Sequence, residues 1–257
     1  MLFSVKNISY SYEDHKVINS LSMNFEKGKF YGIMGPNGCG KTTFLDLLTR
    51  QIKPATGEID YMGKDLFQYS RRKLSREIAL VPQNFYINFS FTAKDIVMMG
   101  RYPYIPRFSA PSEKDLKIVE KIMIKTDTRK FQNRLITELS GGERQRVVFA
   151  RALAQDTPVL ILDEATSNFD ISFTINMLNI TLDRVISENK TVISVMQDIN
   201  LAAAYCHYLI FVNNGSITAH GHVNDVLNSS TIKSVFNIDA KVYYEPYSQS
   251  QQVVFKH

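Results

Sequence analysis

The first 34 residues are built from short runs in which apolar residues fall on alternate positions. Phe3/Val5, Val17/Ile18 and Leu21/Met23/Phe25 predict strands, with turns at Glu13-Asp14-His15 and Glu26-Lys27-Gly28. This pattern predicts a mostly antiparallel sheet. A denser strand follows at residues 29–34, and further strands are predicted at 57–61 and 78–81, the last ended by Pro82-Gln83. The period then changes. Thr92-Ala93-Lys94-Asp95 has the form of a helix start with an acid three residues on, and Ile96-Val97-Met98-Met99 continues it. Tyr102-Pro103-Tyr104-Ile105-Pro106 breaks that helix. Ser112-Glu113-Lys114-Asp115 opens another, which places Leu116, Val119, Ile122 and Met123 on one face. Residues 84–139 hold no strand-like run, which predicts a helical insertion in an α/β core.

Continuous apolar runs return at 158–162, 191–196 and 209–212, as in strands covered on both faces. Helices are predicted at 171–188 and 199–205. Asn213-Asn214-Gly215 is a hairpin turn into Ser216-Ile217-Thr218-Ala219. Residues 223–257 read as two short helices followed by extended segments. The expected fold class is α/β: a mostly parallel sheet flanked by helices, an N-terminal antiparallel β subdomain, and a helical subdomain at about 84–157 inserted in one domain spanning 1–257.

Between the strand at 29–34 and the next helix lies Gly35-Pro36-Asn37-Gly38-Cys39-Gly40-Lys41-Thr42-Thr43, a match to G-x-x-x-x-G-K-[ST]. Strand, glycine loop and helix form the context in which this pattern wraps nucleotide phosphates. Glycines let backbone N–H groups converge on phosphate oxygens, and the helix N-terminus adds partial positive charge. Lys41 is expected to reach the β- and γ-phosphates, and the Thr42 hydroxyl to hold Mg²⁺. The α/β core is thereby read as a P-loop nucleoside triphosphatase.

Composition narrows the class. The 257 residues are 44% hydrophobic and 21% charged, the balance of a globular protein. No stretch approaches the roughly 20 apolar residues of a membrane span, and the first residues lack the pattern of a signal peptide. A cytoplasmic location is expected. Cys39 and Cys206 make no disulfide framework. The net charge of +5 is scattered, with Arg71-Arg72-Lys73 its densest run, so no nucleic-acid partner is expected.

Two further stretches carry chemistry. Asp163-Glu164 ends the buried run at 158–162, where α/β sheets present carboxylates to ligands. Asp163 is expected to hold Mg²⁺ through water, and Glu164 to orient or deprotonate an attacking water. Leu139-Ser140-Gly141-Gly142-Glu143-Arg144-Gln145-Arg146 opens a helix that runs on to Leu153, a second anion-binding helix start in one chain. Tyr12, at the end of a strand, has the character of a base-stacking platform, although a strand-end tyrosine is equally compatible with a structural role.

Taken together, these stretches resemble the ATP-binding cassette (ABC) transporter ATPases along essentially the whole chain. Gly35 to Thr43 is similar to their Walker A motif, Val159 to Glu164 to Walker B, and Ser140-Gly141-Gly142-Glu143 to their signature. The resemblance implies further roles. Gln83 becomes the Q-loop glutamine at Mg²⁺, Tyr12 the adenine-stacking aromatic, and Ser167-Asn168-Phe169-Asp170 the D-loop. It implies ATP and Mg²⁺ as ligands. It also implies a head-to-tail homodimer in which each ATP lies between one subunit's Walker A and the other's signature. Ala79-Leu80-Val81-Pro82-Gln83, Val97-Met98-Met99-Gly100-Arg101-Tyr102-Pro103, Arg107-Phe108-Ser109 and Val242-Tyr243-Tyr244-Glu245-Pro246 resemble the importers of ferric siderophores, haem and cobalamin. Manganese and zinc importers have similar ATPases. These imply a membrane permease dimer, an external substrate-binding protein, and a peripheral place on the cytoplasmic face of the cell membrane. Soluble ABC proteins that act on nucleic acid or ribosomes share the motifs, but usually carry coiled coils or two cassettes.

The chain departs from the family in three places. Gln197 stands where the family has its switch histidine at the γ-phosphate, Ala165 where proline is usual, and Phe169 in place of a leucine. Glutamine donates a hydrogen bond but takes no proton, which predicts slow hydrolysis rather than none.

Overall fold

A computed structural model describes residues 1–85, 89–165 and 170–256. In chain order, its opening elements are β1 (Phe3–Tyr12), β2 (His15–Phe25), β3 (Phe30–Met34), α1 (Lys41–Leu48), β4 (Thr56–Tyr61) and β5 (Lys64–Asp65). Next come α2 (Arg71–Leu74), β6 (Ile78–Val81), α3 (Ala93–Met99), α4 (Glu113–Lys125), α5 (Gly141–Ala154) and β7 (Val159–Asp163). The chain continues with α6 (Ile171–Glu188), β8 (Thr191–Val195), α7 (Ile199–Tyr205), β9 (Tyr208–Asn213) and β10 (Ser216–His222). It ends with α8 (Val223–Val226), α9 (Ser229–Phe236), β11 (Ala240–Glu245) and β12 (Ser250–Phe255). Contacts divide the chain into two units, residues 1–69 with 182–257, and residues 70–181.

In the first unit, β1 pairs antiparallel with β2, from Phe3 opposite Phe25 to Tyr12 opposite His15, and on its other edge with β4. Phe3, Val5 and Ile8 face inward with Ile18, Leu21 and Phe25, all buried; the pairing is irregular between Val5 and Ile8, which brings Ile8 onto the face of Phe3 and Val5. The Phe3 ring meets Phe25 and Tyr61 at centroid distances of 6.1 and 5.0 Å. β3 does not extend this sheet. It lies between β8 and β9 as a parallel neighbour of each, and every one of its residues is buried, as are those of β8. β10 returns antiparallel to β9 through Asn214 and Gly215, both at positive φ, which the right-handed twist of a two-residue hairpin requires. The terminal hairpin β11–β12 is tied to α7 by Asn200, which donates to Val253 O and accepts from Val253 N at 2.7 Å.

The second unit pairs β6 with β7 in parallel, Ile78 opposite Val159 through Val81 opposite Leu162. Its helices α3, α4 and α5 enclose a separate core that includes Ile96, Val97, Val119, Met123, Val147 and Ala150. All three begin with the same reciprocal cap, Thr92 with Asp95, Ser112 with Asp115, and Ser140 with Glu143. Each cap satisfies orphan N–H groups at its helix start. One sequence expectation is corrected: Leu116 is 44% exposed and does not share the buried face of Val119 and Met123. The first turn of α4 sends Asp115 inward instead, where Arg101 Nε donates to it at 2.9 Å. Residues four apart share a helix face, so Asp115, Val119 and Met123 form the inner stripe and Leu116 falls outside it.

Candidate functional site

The glycine loop joins the end of β3 to the first turn of α1, as its sequence predicts. A side chain at Gly35 would bring a Cβ within 2.0 Å of the Val212 carbonyl oxygen on β9, so only glycine fits. Gly40, at φ 103, is the residue that turns the loop into the helix. The loop is braced from outside: Gly215 N donates to Cys39 O and Asn19 N to Gly215 O. Lys41 is only 6% exposed, and its ammonium donates to the carbonyl oxygens of Gly35 and Pro36 at 2.9 Å each. Asn37, Gly38 and Thr42 are exposed, Pro36 is half-buried, and Cys39 and Thr43 are buried. Burial pushes the Cys39 thiol above its ordinary pKa, against a smaller opposing effect of Lys41, so the thiolate is disfavoured.

Tyr12, 48% exposed, ends β1 with its ring set edge-on against Tyr10, at a centroid distance of 4.9 Å. Gln197 is exposed just beyond β8, next to Asp198, whose carboxylate caps α7 by accepting from Asn200 N and Leu201 N. Tyr12, Gln197 and the loop from Gly35 to Thr43 belong to the first unit.

The second unit carries the rest. Asp163 is the last residue of β7, 5% exposed, and Glu164 follows it at 9% exposure. Glu164 has φ 47, a left-handed conformation that a non-glycine residue holds at a cost of about 1–3 kcal/mol and that clusters at functional sites. Gln83, two residues past β6, donates from Nε2 to Glu164 Oε2 at 2.7 Å. The sequence pattern paired neither residue with the other; parallel pairing of β6 with β7 is what brings their C-terminal ends together.

Ser140 is the N-cap of α5. Its N–H donates to Glu143 Oε2 at 2.8 Å and its Oγ accepts from Glu143 N at 3.3 Å. The N–H of Ser140, foremost among the causes, holds the Glu143 carboxyl below the usual carboxylate range. Gly141 is exposed, and a Cβ there would meet nothing within 4 Å, so its backbone is open to an approaching group. Of the D-loop stretch only Asp170 lies within the described residues; Ser167, Asn168 and Phe169 lie outside them, whereas Ala165 is buried. Asp170 accepts from Phe173 N at 2.8 Å, starting α6, and from Arg146 Nη2 at 2.9 Å. Gln145 and Arg146 lie in the signature stretch, where the sequence assigns them no role; their partners, Pro82 and Asp170, are too distant in sequence for any local pattern to reveal.

A loop of this shape between a buried parallel strand and a helix, with a buried lysine folded into it, defines a P-loop nucleotide-binding protein. The family pattern for the ABC transporter matches residues 18–167, which take in the loop, the signature stretch and Asp163-Glu164. The chain belongs to the ABC transporter family. It is 36% identical over 246 residues to the cobalamin import ATP-binding protein BtuD of Halobacterium salinarum, covering 96% of this chain but 61% of that protein. It thus spans under two thirds of that relative. It is 32% identical over 244 residues to the iron(3+)-hydroxamate import ATP-binding protein FhuC of Bacillus subtilis, covering 95% of this chain and 90% of that one. A solved structure described as an inward-facing metal-chelate type ABC transporter superposes with a TM-score of 0.83 at 28% identity, over 99% of this chain and 96% of that one. No helix among the described residues is long and apolar enough to cross a membrane.

Proposed function

We propose that this chain is the ATP-hydrolysing subunit of an importer of iron complexes, ferric siderophore or haem, working as a homodimer on the cytoplasmic face of a membrane permease dimer that is fed by an external binding protein. One observation carries the dimer: a single chain has two helix starts with glycine in the opening turn, a buried one at Gly40 and an exposed one at Ser140-Gly141, and each is suited to an anion. A head-to-tail pair gives both a use on one nucleotide. Relatives named for iron(3+)-hydroxamate and for a metal chelate support the cargo. The relative named for cobalamin supports the same motor with a different cargo, and manganese or zinc import is a further variant.

In this reading Tyr12 stacks on adenine, and the N–H groups of Asn37, Gly38, Cys39, Gly40, Lys41, Thr42 and Thr43 line the phosphates, with Gly35 and Pro36, the latter lacking an N–H, shaping the start of the loop. Lys41 exchanges its carbonyl partners for phosphate oxygens. Ser140, Gly141, Gly142 and Glu143 close on the γ-phosphate from the second copy. Glu164, held by Gln83, takes the proton of the attacking water, and Gln197 donates to the γ-phosphate. Thr42, Gln83 and Asp163 offer only hard oxygen ligands, the donor set that suits Mg²⁺. When bound there, Mg²⁺ would neutralise charge on the β- and γ-phosphates.

The test is Mg²⁺-dependent phosphate release by the purified chain reconstituted with its permease, with and without binding protein loaded with ferric siderophore, haem, cobalamin, Mn²⁺ or Zn²⁺. Stimulation by one of the iron complexes supports the cargo assignment, and stimulation by another cargo replaces it. Glu164→Gln is expected to lower turnover at least about 10²-fold while leaving an ATP-bound dimer that is visible by size. Unchanged turnover would remove Glu164 from the chemistry.

A further inference from the structure

We infer that Gln145 and Arg146, adjacent on α5, are positioning residues for Glu164: they tie the chain segments on either side of it to the helix that begins with the signature. The inference rests on the reading of Glu164 as the carboxylate that activates water.

Three sets of contacts, all within residues 70–181, carry it. Glu164 sits at φ 47, a conformation that persists only where surrounding groups determine it. Its carboxylate accepts from Gln83 at 2.7 Å, so its aim depends on where the segment after β6 lies. That segment is held by Gln145, 7% exposed, whose Nε2 donates to Pro82 O at 3.2 Å, one residue before Gln83. Arg146 holds Asp170, six residues after Glu164. Its Nη2 donates to Asp170 Oδ2 at 2.9 Å, Asp127 stands 3.6 Å from Nη1, and the guanidinium lies over the Phe173 ring at 4.1 Å.

Consecutive helix residues point about 100° apart, so neighbours on α5 reach two different segments. One hydrogen bond precedes Glu164 along this network and one ion pair follows it, and both originate one to two turns from Ser140. A shift of α5 when the signature engages a nucleotide therefore moves Pro82-Gln83 and Asp170 together, and with them the carboxylate between. Packing alone does not call for these residues: Val147, Phe149 and Ala150 already bury the helix, and a leucine would fill the place of Gln145.

Gln145→Leu, Arg146→Met and Asp170→Asn, each made in the full chain and in a Glu164→Gln background, test the inference by kcat, KM for ATP and melting temperature. The expected result is a kcat lowered about 10-fold by each, with KM within about 2-fold, because misplaced catalytic groups cost rate rather than uniform binding. Arg146→Met combined with Asp170→Asn should cost no more than either alone. In the Glu164→Gln background the residual turnover should not fall further. Equal proportional losses in both backgrounds, or a folded variant at full kcat, overturn the inference. Asp170 is exposed, so Asp170→Asn keeps the test open if a change at buried Gln145 unfolds the protein. Glu164→Gln at undiminished turnover is a different failure: it sinks the reading of Glu164, and the inference with it.

Discussion

The ammonium of Lys41 lies 2.9 Å from the carbonyl oxygen of Gly35, inside its own loop, and it makes the same contact with Pro36. The lysine is therefore prepositioned over the loop and does not swing in from solvent. Hydrogen bonds to a charged group contribute about 1.5–3 kcal/mol, so Lys41→Ala should weaken ATP binding roughly 10- to 100-fold. Lys41→Arg should not restore it, since a planar fork does not replace a compact ammonium in a buried site. Titration with a fluorescent ATP analogue measures both. An affinity within 2-fold of the parent for Lys41→Ala would mean that the lysine does not contact phosphate.

Tyr12 is exposed, and its ring is steadied edge-on by Tyr10. Stacking on a base contributes about 1–3 kcal/mol and accepts any base. Tyr12→Ala should therefore weaken ATP and GTP alike, by roughly 5- to 100-fold, whereas Tyr12→Phe keeps both affinities. Loss of ATP binding with GTP binding intact would point to recognition of the adenine edge instead of stacking.

The elements that came through in the sequence are those with a strong local signal. The helices at Ile171–Glu188 and Ile199–Tyr205 and the hairpin turn at Asn214-Gly215 are placed as their patterns predict, because period and turn chemistry are properties of neighbours in the chain. The glycine loop was legible for the same reason. Leu116 falls off the inner face because hydrophobicity alone does not set that face: a buried ion pair from Asp115 to Arg101 turns Asp115 inward in its place. The contact of Gln83 with Glu164, and those of Gln145 and Arg146, join residues brought together only by the pairing of β6 with β7 and the packing of α5. No local periodicity encodes them.

That same ion pair sets a stability prediction. Arg101 and Asp115 are 5% and 7% exposed, and Arg101 also donates to Ala154 O at 2.8 Å. Removing one partner leaves a buried, uncompensated charge, so Arg101→Ala should cost about 3–5 kcal/mol in a denaturant titration. Burial alone would raise the Asp115 carboxyl; hydrogen bonds from Ser112 and Arg101 outweigh it and hold the carboxyl below its ordinary value. A depressed folded pKa means a contribution fully present above the unfolded value, near 3.9, and lost as pH falls through the folded one. Glu143 and Asp170 are shifted in the same direction. The melting temperature should therefore drop between about pH 4 and pH 2, and Asp115→Asn should shallow that drop. A melting curve as steep in the variant as in the parent would remove Asp115 from the acid transition.

Gln197 sets the last prediction. It stands exposed just past β8, in the stretch that leads to the Asp198 cap of α7, so the backbone that presents it is fixed by the helix start behind it. A glutamine there donates a hydrogen bond to a phosphate oxygen but neither takes a proton nor carries charge. Removal of one preorganised donor to a developing oxyanion costs about 10²–10³ in rate, and glutamine keeps part of that contribution. Gln197→His should raise kcat by about 10-fold, within that bound, and Gln197→Ala should lower it below the parent. The histidine variant should also acquire a pH dependence near its own pKa of about 6.5, whereas the parent should be flat across that window. Steady-state turnover from pH 5.5 to 8.5, for all three proteins with the permease present, separates the outcomes. Turnover of Gln197→His at or below the parent level would show that this position does not limit hydrolysis.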